Sequence, residues 1–162
     1  MWREIGDEFR IRLARLGDAE FRSWFDKLTP GLLKRRSMLF AVEVAKLCRT
    51  IRSTSDGRAV ASQLFRSATS VAANYRAACR ARSLREFVAK MGIVVEECDE
   101  SLFWLELLAR LARASPTELR RIALEADELL AIFVASRGTA RRRLEARAAP
   151  KSINAAIRQS AF

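Results

Sequence analysis

The sequence contains no histidine. That absence removes the side chain that most often serves as general base, activates a nucleophile or binds a metal through nitrogen, and most catalytic templates go with it. Cysteine is scarce: Cys48, Cys79 and Cys98 are widely spaced, odd in number and never paired as CxxC. Neither a disulfide framework nor a zinc site is indicated, and no metal or other cofactor is expected. The pattern fits a reducing cytoplasm. Three prolines and six glycines punctuate the chain, and no stretch alternates polar and apolar residues between turn signals, so the reading is all-helical. No apolar run reaches the roughly 18 residues of a membrane span. Residues 1–30 are too charged for a signal peptide, so neither insertion nor export is expected.

What is present describes one globular domain: 162 residues, half of them hydrophobic and 30% charged. Lys and Arg number 30 against 19 Asp and Glu, a formal charge of +11 with pI near 10.9. Such an excess favours acidic partners: nucleic acid, an anionic membrane or an acidic protein. The charge is unevenly placed. Residues 1–37 hold 9 basic and 6 acidic side chains, residues 38–136 hold 14 and 12, and residues 137–162 hold 7 and 1. Within the middle block, residues 38–90 carry 10 basic against 3 acidic groups, and residues 91–136 carry 4 against 9. A basic half facing an acidic half steers helix packing within or between subunits.

The 3.6-residue period predicts four helices. The first spans about 38–53, with Phe40, Val44, Leu47 and Ile51 on one face, and the second about 58–82. Ser83 and Glu86 form a capping box that opens the third, which runs to about 113. Ser115 and Glu118 form another around Pro116, opening the fourth with Leu119, Ile122, Ala126, Leu129 and Phe133 as its stripe. Short connections make neighbours antiparallel, giving an up-down four-helix bundle over 38–136. Residues 1–37 form an extension with an amphipathic helix marked by Trp2, Ile5, Phe9, Leu13 and Leu16, followed by Phe21, Trp24, Phe25 and Leu28 before a break at Pro30 and Gly31. Residues 137–162 form a basic tail that either continues the fourth helix to about 149 or frays.

On the second helix Arg58, Arg66, Arg76 and Arg80 fall within about 80° of arc, and Arg82 and Arg85 carry the positive line past its end. Guanidinium groups pair bidentately with phosphate oxygens without reading bases, so this line and Arg141, Arg142 and Arg143 of the tail are candidate nucleic-acid contacts. A solvated face, or pairing with a neighbour's acids, is the competing reading. Gln63, Ser67, Ser70 and Asn74 form a small polar stripe where another helix can approach closely. On the third helix Phe103, Trp104, Leu107 and Leu111 lie opposite the seam, so something must cover them. Glu96, Glu97 and Glu100 precede that patch, and pairing with arginines suits them better than holding a metal. Together the stripe, the patch and the carboxylates are candidate oligomer contacts.

The run from Gln63 through Arg76, then Ala81, Arg82, Ser83, Glu86, Phe87 and Lys90, then the run from Glu97 through Leu108, closely resemble the four helix bundle protein family. These are the proteins first described from reading frames in intervening sequences of bacterial 23S ribosomal RNA genes. The resemblance covers about 38–136 and implies a homopentameric ring without enzymatic activity. The chain is also similar to accessory variability determinant proteins of diversity-generating retroelements, which implies nucleic acid and a reverse transcriptase as partners. The resemblance places Gln63, Arg66, Ser67, Ser70, Asn74, Glu97, Glu100 and Trp104 at characteristic positions. Ala77 departs from it by standing where an acid is usual, and Cys98 by replacing alanine. The resulting expectation is a non-enzymatic cytoplasmic homo-oligomer that binds nucleic acid, RNA more readily than DNA, through basic surface. The alternative is a protein-interaction scaffold or accessory subunit whose charge organises assembly.

Overall fold

The computed structural model describes residues 28–52 and 54–148. Four helices follow one another: α1 Pro30–Ile51, α2 Ser55–Ala78, α3 Leu84–Arg110 and α4 Pro116–Ala148. They form an antiparallel bundle in which each packs along its successor, and α1 meets α4 more sparsely. The expected all-α up-down architecture is therefore the observed one. Residues 1–27 of the extension, with its expected amphipathic helix, and residues 149–162 lie outside the described residues.

Local chemistry sets the boundaries. The Thr29 hydroxyl accepts from Leu32 N at 3.2 Å with Pro30 in the first turn, so α1 begins at Pro30 and not near 38. Proline reads as a breaker for a preceding helix and acts here as the initiator of the next. Leu33 and Ser37, from the stretch assigned to the extension, are buried in the bundle. Thr54 caps α2 in the same way, and Ser83 caps α3 by accepting from Glu86 N at 3.1 Å. Glu86 reaches back to the backbone N–H of Arg82 at 2.9 Å, one residue beyond the usual capping-box target. Gly57 sits where a Cβ would collide with the Ile51 carbonyl, so this turn requires glycine.

The predicted stripes of α1 and α4 fill the core together with the inward faces of α2 and α3. Phe40, Val44, Leu47 and Ile51 from α1, Leu64, Ala68 and Val71 from α2, Met91, Val94, Cys98 and Leu105 from α3, and Ile122, Leu129 and Phe133 from α4 are all buried. Tyr75 meets Phe133 across the bundle with ring centroids 5.1 Å apart. The two fully inward thiols donate to backbone carbonyls, Cys48 to Ala61 and Cys98 to Ala126. Burial pushes the Cys48 thiol up to about 11 and raises that of Cys98, so both are protonated at neutral pH.

Candidate nucleic-acid interface

The arginine line of α2 does not act as one surface. Arg66, at its middle, is held across the α2–α3 seam by Glu100 at 2.5 Å and Glu97 at 3.4 Å, and its Nε donates a further bond to Gln63 Oε1. Glu100 also accepts from the Trp104 indole at 3.0 Å. The Glu100 carboxyl lies below its ordinary range, first through the Arg66 bond and then through Trp104. The acids expected to meet a neighbour's arginines therefore already have one in their own chain, and Arg66 is not a free phosphate contact. Arg58 lies near the opposite end of the bundle, 3.5 Å from the Arg52 carbonyl.

The remaining arginines come together. Arg76 and Arg80 lie at the end of α2, Arg82 in the turn and Arg85 in the first turn of α3, all exposed. Among the described residues Arg76, Arg80 and Arg85 have no ionic partner, whereas Arg82 leans on Glu86 at 3.6 Å. The register of α3 and α4 brings the second group to the same place. Cys98 bonds the Ala126 carbonyl, and the Arg137 guanidinium lies over Gly92, in ordinary van der Waals range of where a Cβ would stand. Continuing that antiparallel register along α4 sets Arg141, Arg142 and Arg143 roughly level with the α2–α3 turn.

The tail thus takes the helical alternative, and two segments separated by some fifty residues of sequence form one basic end. Over 76–90 and 137–148 this end carries ten Lys and Arg against two acids, Glu86 and Glu145. Arg141 pairs with Glu145 at 3.4 Å and Arg142 bonds Thr139 at 3.2 Å, while Arg143 is exposed without an ionic partner among the described residues. Two residues of this end were not singled out from sequence. Arg147 is exposed on the last turn of α4, one turn after Arg143, and its i+4 spacing was the available signal. Arg137 keeps a buried Nε with no hydrogen-bond partner, and only the fold places Gly92 under it.

The candidate oligomer contacts divide. Ser67 is fully buried within the chain, where the Ser101 hydroxyl meets its own at 2.9 Å, so it belongs to the α2–α3 seam and cannot touch a second copy. Ser70 and Asn74 are half-buried and bond each other at 2.9 Å, and Gln63 is exposed beside Arg66. Glu96 is exposed, whereas Leu107 and Trp104 pack partly on the core. Phe103 is 57% exposed and Leu111 39%, with the Phe103 ring set edge-on to Trp104 at 4.9 Å. Ile93 on α3, and Leu32, Met38, Leu39 and Val42 on α1, add exposed apolar surface that the sequence reading did not identify. Among the described residues no cluster of three or more His, Cys, Asp or Glu could hold a metal. No described helix is long and apolar enough to cross a membrane.

Residues 33–135 match the family described as 23S rRNA-intervening sequence protein. The chain belongs to that family. A solved protein of unknown function from the S23 ribosomal protein family of Bacteroides thetaiotaomicron is 27% identical, with TM-score 0.64. The similarity covers 99% of that chain and 68% of this one. No curated protein matches the chain. The 23S rRNA-intervening sequence protein family accounts for the bundle, including the α2–α3 seam built from Ser67, Ser101, Arg66, Glu97 and Glu100. The arginines of 137–148 lie outside the matched residues, and the basic end combines both regions.

Proposed function

We propose that this protein is a non-enzymatic cytoplasmic homo-oligomer that binds nucleic acid, RNA in preference to DNA, without base specificity through the basic end of its bundle. The carrying observation is the convergence of Arg76, Arg80 and Arg85 with the arginines of the α4 extension, with two carboxylates nearby. Guanidinium groups at one end, with no exposed aromatic side chain among the described residues of that end, suit phosphates and not base stacking. RNA comes first because the family is named for sequences within 23S rRNA. The exposed Phe103 and Leu111 supply the apolar surface for assembly, with a pentameric ring as the arrangement.

Labelled RNA titrated at 50 and 200 mM salt tests the reading. For about five phosphate contacts, affinity falls by roughly two to three orders of magnitude between those concentrations. Arg76→Ala with Arg80→Ala, and separately Arg141→Ala, Arg142→Ala and Arg143→Ala together, should weaken binding for every sequence and flatten the salt slope. Arg66→Ala should leave it unchanged, because Glu97 and Glu100 already occupy that guanidinium. Full affinity in both multiple variants would remove the reading. A protein scaffold, such as an accessory subunit of a reverse transcriptase, is the second reading, favoured by the charge spent on ties inside the chain: Arg36 with Glu125, Arg66 with Glu100 and Arg113 with Asp56.

A further inference from the structure

α1 and α3 occupy opposite corners of the bundle: each packs against α2 and α4, and neither packs along the other. Their outward faces hold most of the large apolar side chains exposed among the described residues, four on α1 and three along or at the end of α3, whereas Phe65 on α2 and Val134 on α4 stand alone. Single exposed apolar residues are ordinary, but rows of them mark contact surface. On α1, Leu32, Arg35, Met38, Leu39 and Val42 share about 120° of arc outside the core stripe. On α3, Ile93, Glu96 and Phe103 share about 80° of arc opposite Cys98. Arg35 and Glu96 are both exposed, and neither has an ionic partner among the described residues.

The register inside the bundle sets which of these residues stand at the same height. Through α4, the Arg36–Glu125 pair and the Cys98 bond to the Ala126 carbonyl place residue n of α1 level with about n+63 of α3. Through α2, the Cys48 bond to the Ala61 carbonyl and the Ser67–Ser101 bond place it level with about n+59. The two routes agree within about one helical turn. At their mean offset of about 61, Leu32 stands level with Ile93, Arg35 with Glu96 and Val42 with Phe103. All six side chains are exposed. Apolar groups thus match apolar groups at two heights, with a cation matching an anion between them.

Within one chain these residues lie on opposite corners and cannot meet. α1 and α3 run in the same direction, so rotating a copy about an axis parallel to the bundle, without a shift along it, brings the α3 face of one copy to the α1 face of the next at equal heights. We propose that a second copy of this chain docks its α3 face on α1 in this head-to-tail manner, pairing Leu32 with Ile93, Arg35 with Glu96 and Val42 with Phe103. Each copy keeps one face of either kind free for a further neighbour, and the contact repeats until the rotation closes a ring. Like-with-like contacts are disfavoured: α1 on α1 would gather Lys34, Arg35 and Arg49 of both copies, and α3 on α3 would gather Glu96 and Asp99. The contact rests on the homo-oligomer proposed above and is independent of nucleic-acid binding.

Full-length protein carrying Cys79→Ser keeps only the buried thiols of Cys48 and Cys98 and serves as the background. There, Val42→Cys combined with Phe103→Cys should give a ladder of disulfide-linked multiples of the chain under mild oxidation, whereas either change alone should give no linked dimer. In the protein without these changes, Arg35→Glu should raise the concentration at which the assembly half-dissociates by roughly tenfold or more, read by light scattering, and adding Glu96→Arg should bring it back towards the native value. A linked dimer from Val42→Cys alone, no ladder from a double variant that light scattering shows to be assembled, an unchanged midpoint for Arg35→Glu, or no recovery on adding Glu96→Arg would overturn the head-to-tail contact and leave assembly itself standing. A monomer at every concentration would remove the assembly, and this contact with it.

Discussion

Ala112 is the residue most at odds with its backbone. Its φ is 51°, in the left-handed region where a Cβ is costly and glycine is usual. It stands at the position after the α3 C-cap, where Ala112 N bonds the Ala109 carbonyl at 3.2 Å and Arg113 N bonds Leu108 at 3.3 Å, the two bonds of a Schellman turn. The sequence pattern carries α3 to about 113, through Ala112; the structure ends α3 at Arg110 and leaves Ala112 exposed. No glycine announced the stop, so periodicity overran it. Ala112→Gly relieves the backbone conflict and should stabilise the fold by about 0.5–1 kcal/mol, read as a raised urea midpoint with an unchanged slope.

At the scale of elements, the α2–α3 pair shows how far pattern reading extends. The stripe of Gln63, Ser67, Ser70 and Asn74 was visible as a close-approach face, and Ser67 against Ser101 shows which helix approaches. The partner of Arg66 was not visible, because Glu97 and Glu100 lie 31 and 34 residues away and only the register aligns them. That tie has a pH signature. Glu100 has a depressed folded-state pKa, so the unfolded chain binds the proton more readily. Its contribution is therefore complete above the unfolded value of about 4.3 and disappears as pH falls through the lower folded value. Glu100→Gln should flatten the decline in stability below about pH 5, measured by urea melts across pH 3–7. An identical acid limb in both proteins would show that this ion pair adds nothing.

Among the described residues, large apolar side chains are exposed along every helix: Leu32, Met38, Leu39 and Val42 on α1, Phe65 on α2, Ile93, Phe103 and Leu111 along or at the end of α3, and Val134 on α4. The α3 face was legible because four apolar residues fell opposite the seam. On α1, Leu32 was missed because the helix was started eight residues late, whereas Met38, Leu39 and Val42 lay within the predicted helix, of which only the inward stripe was read. Exposed apolar residues such as these are the surface an assembly would cover. Light scattering across a concentration series should give a mass several times the 18.3 kDa chain. Phe103→Asp with Leu111→Asp should shift it towards the monomer while helicity is retained. A monomer at every concentration would locate the use of these faces elsewhere.

Sequence by itself determined the helices, their order and their inward faces, because the 3.6-residue period and the cap at Ser83 are local properties of the chain. It also set the family, through motifs concentrated in 63–108. Only the tertiary structure decided which arginines remain available. Arg66 is neutralised by carboxylates from the next helix, while Arg76, Arg80 and Arg85 meet the α4 arginines at one end. Charge acts through space, and the distances that decide it come from the register of packed helices, which no local pattern encodes.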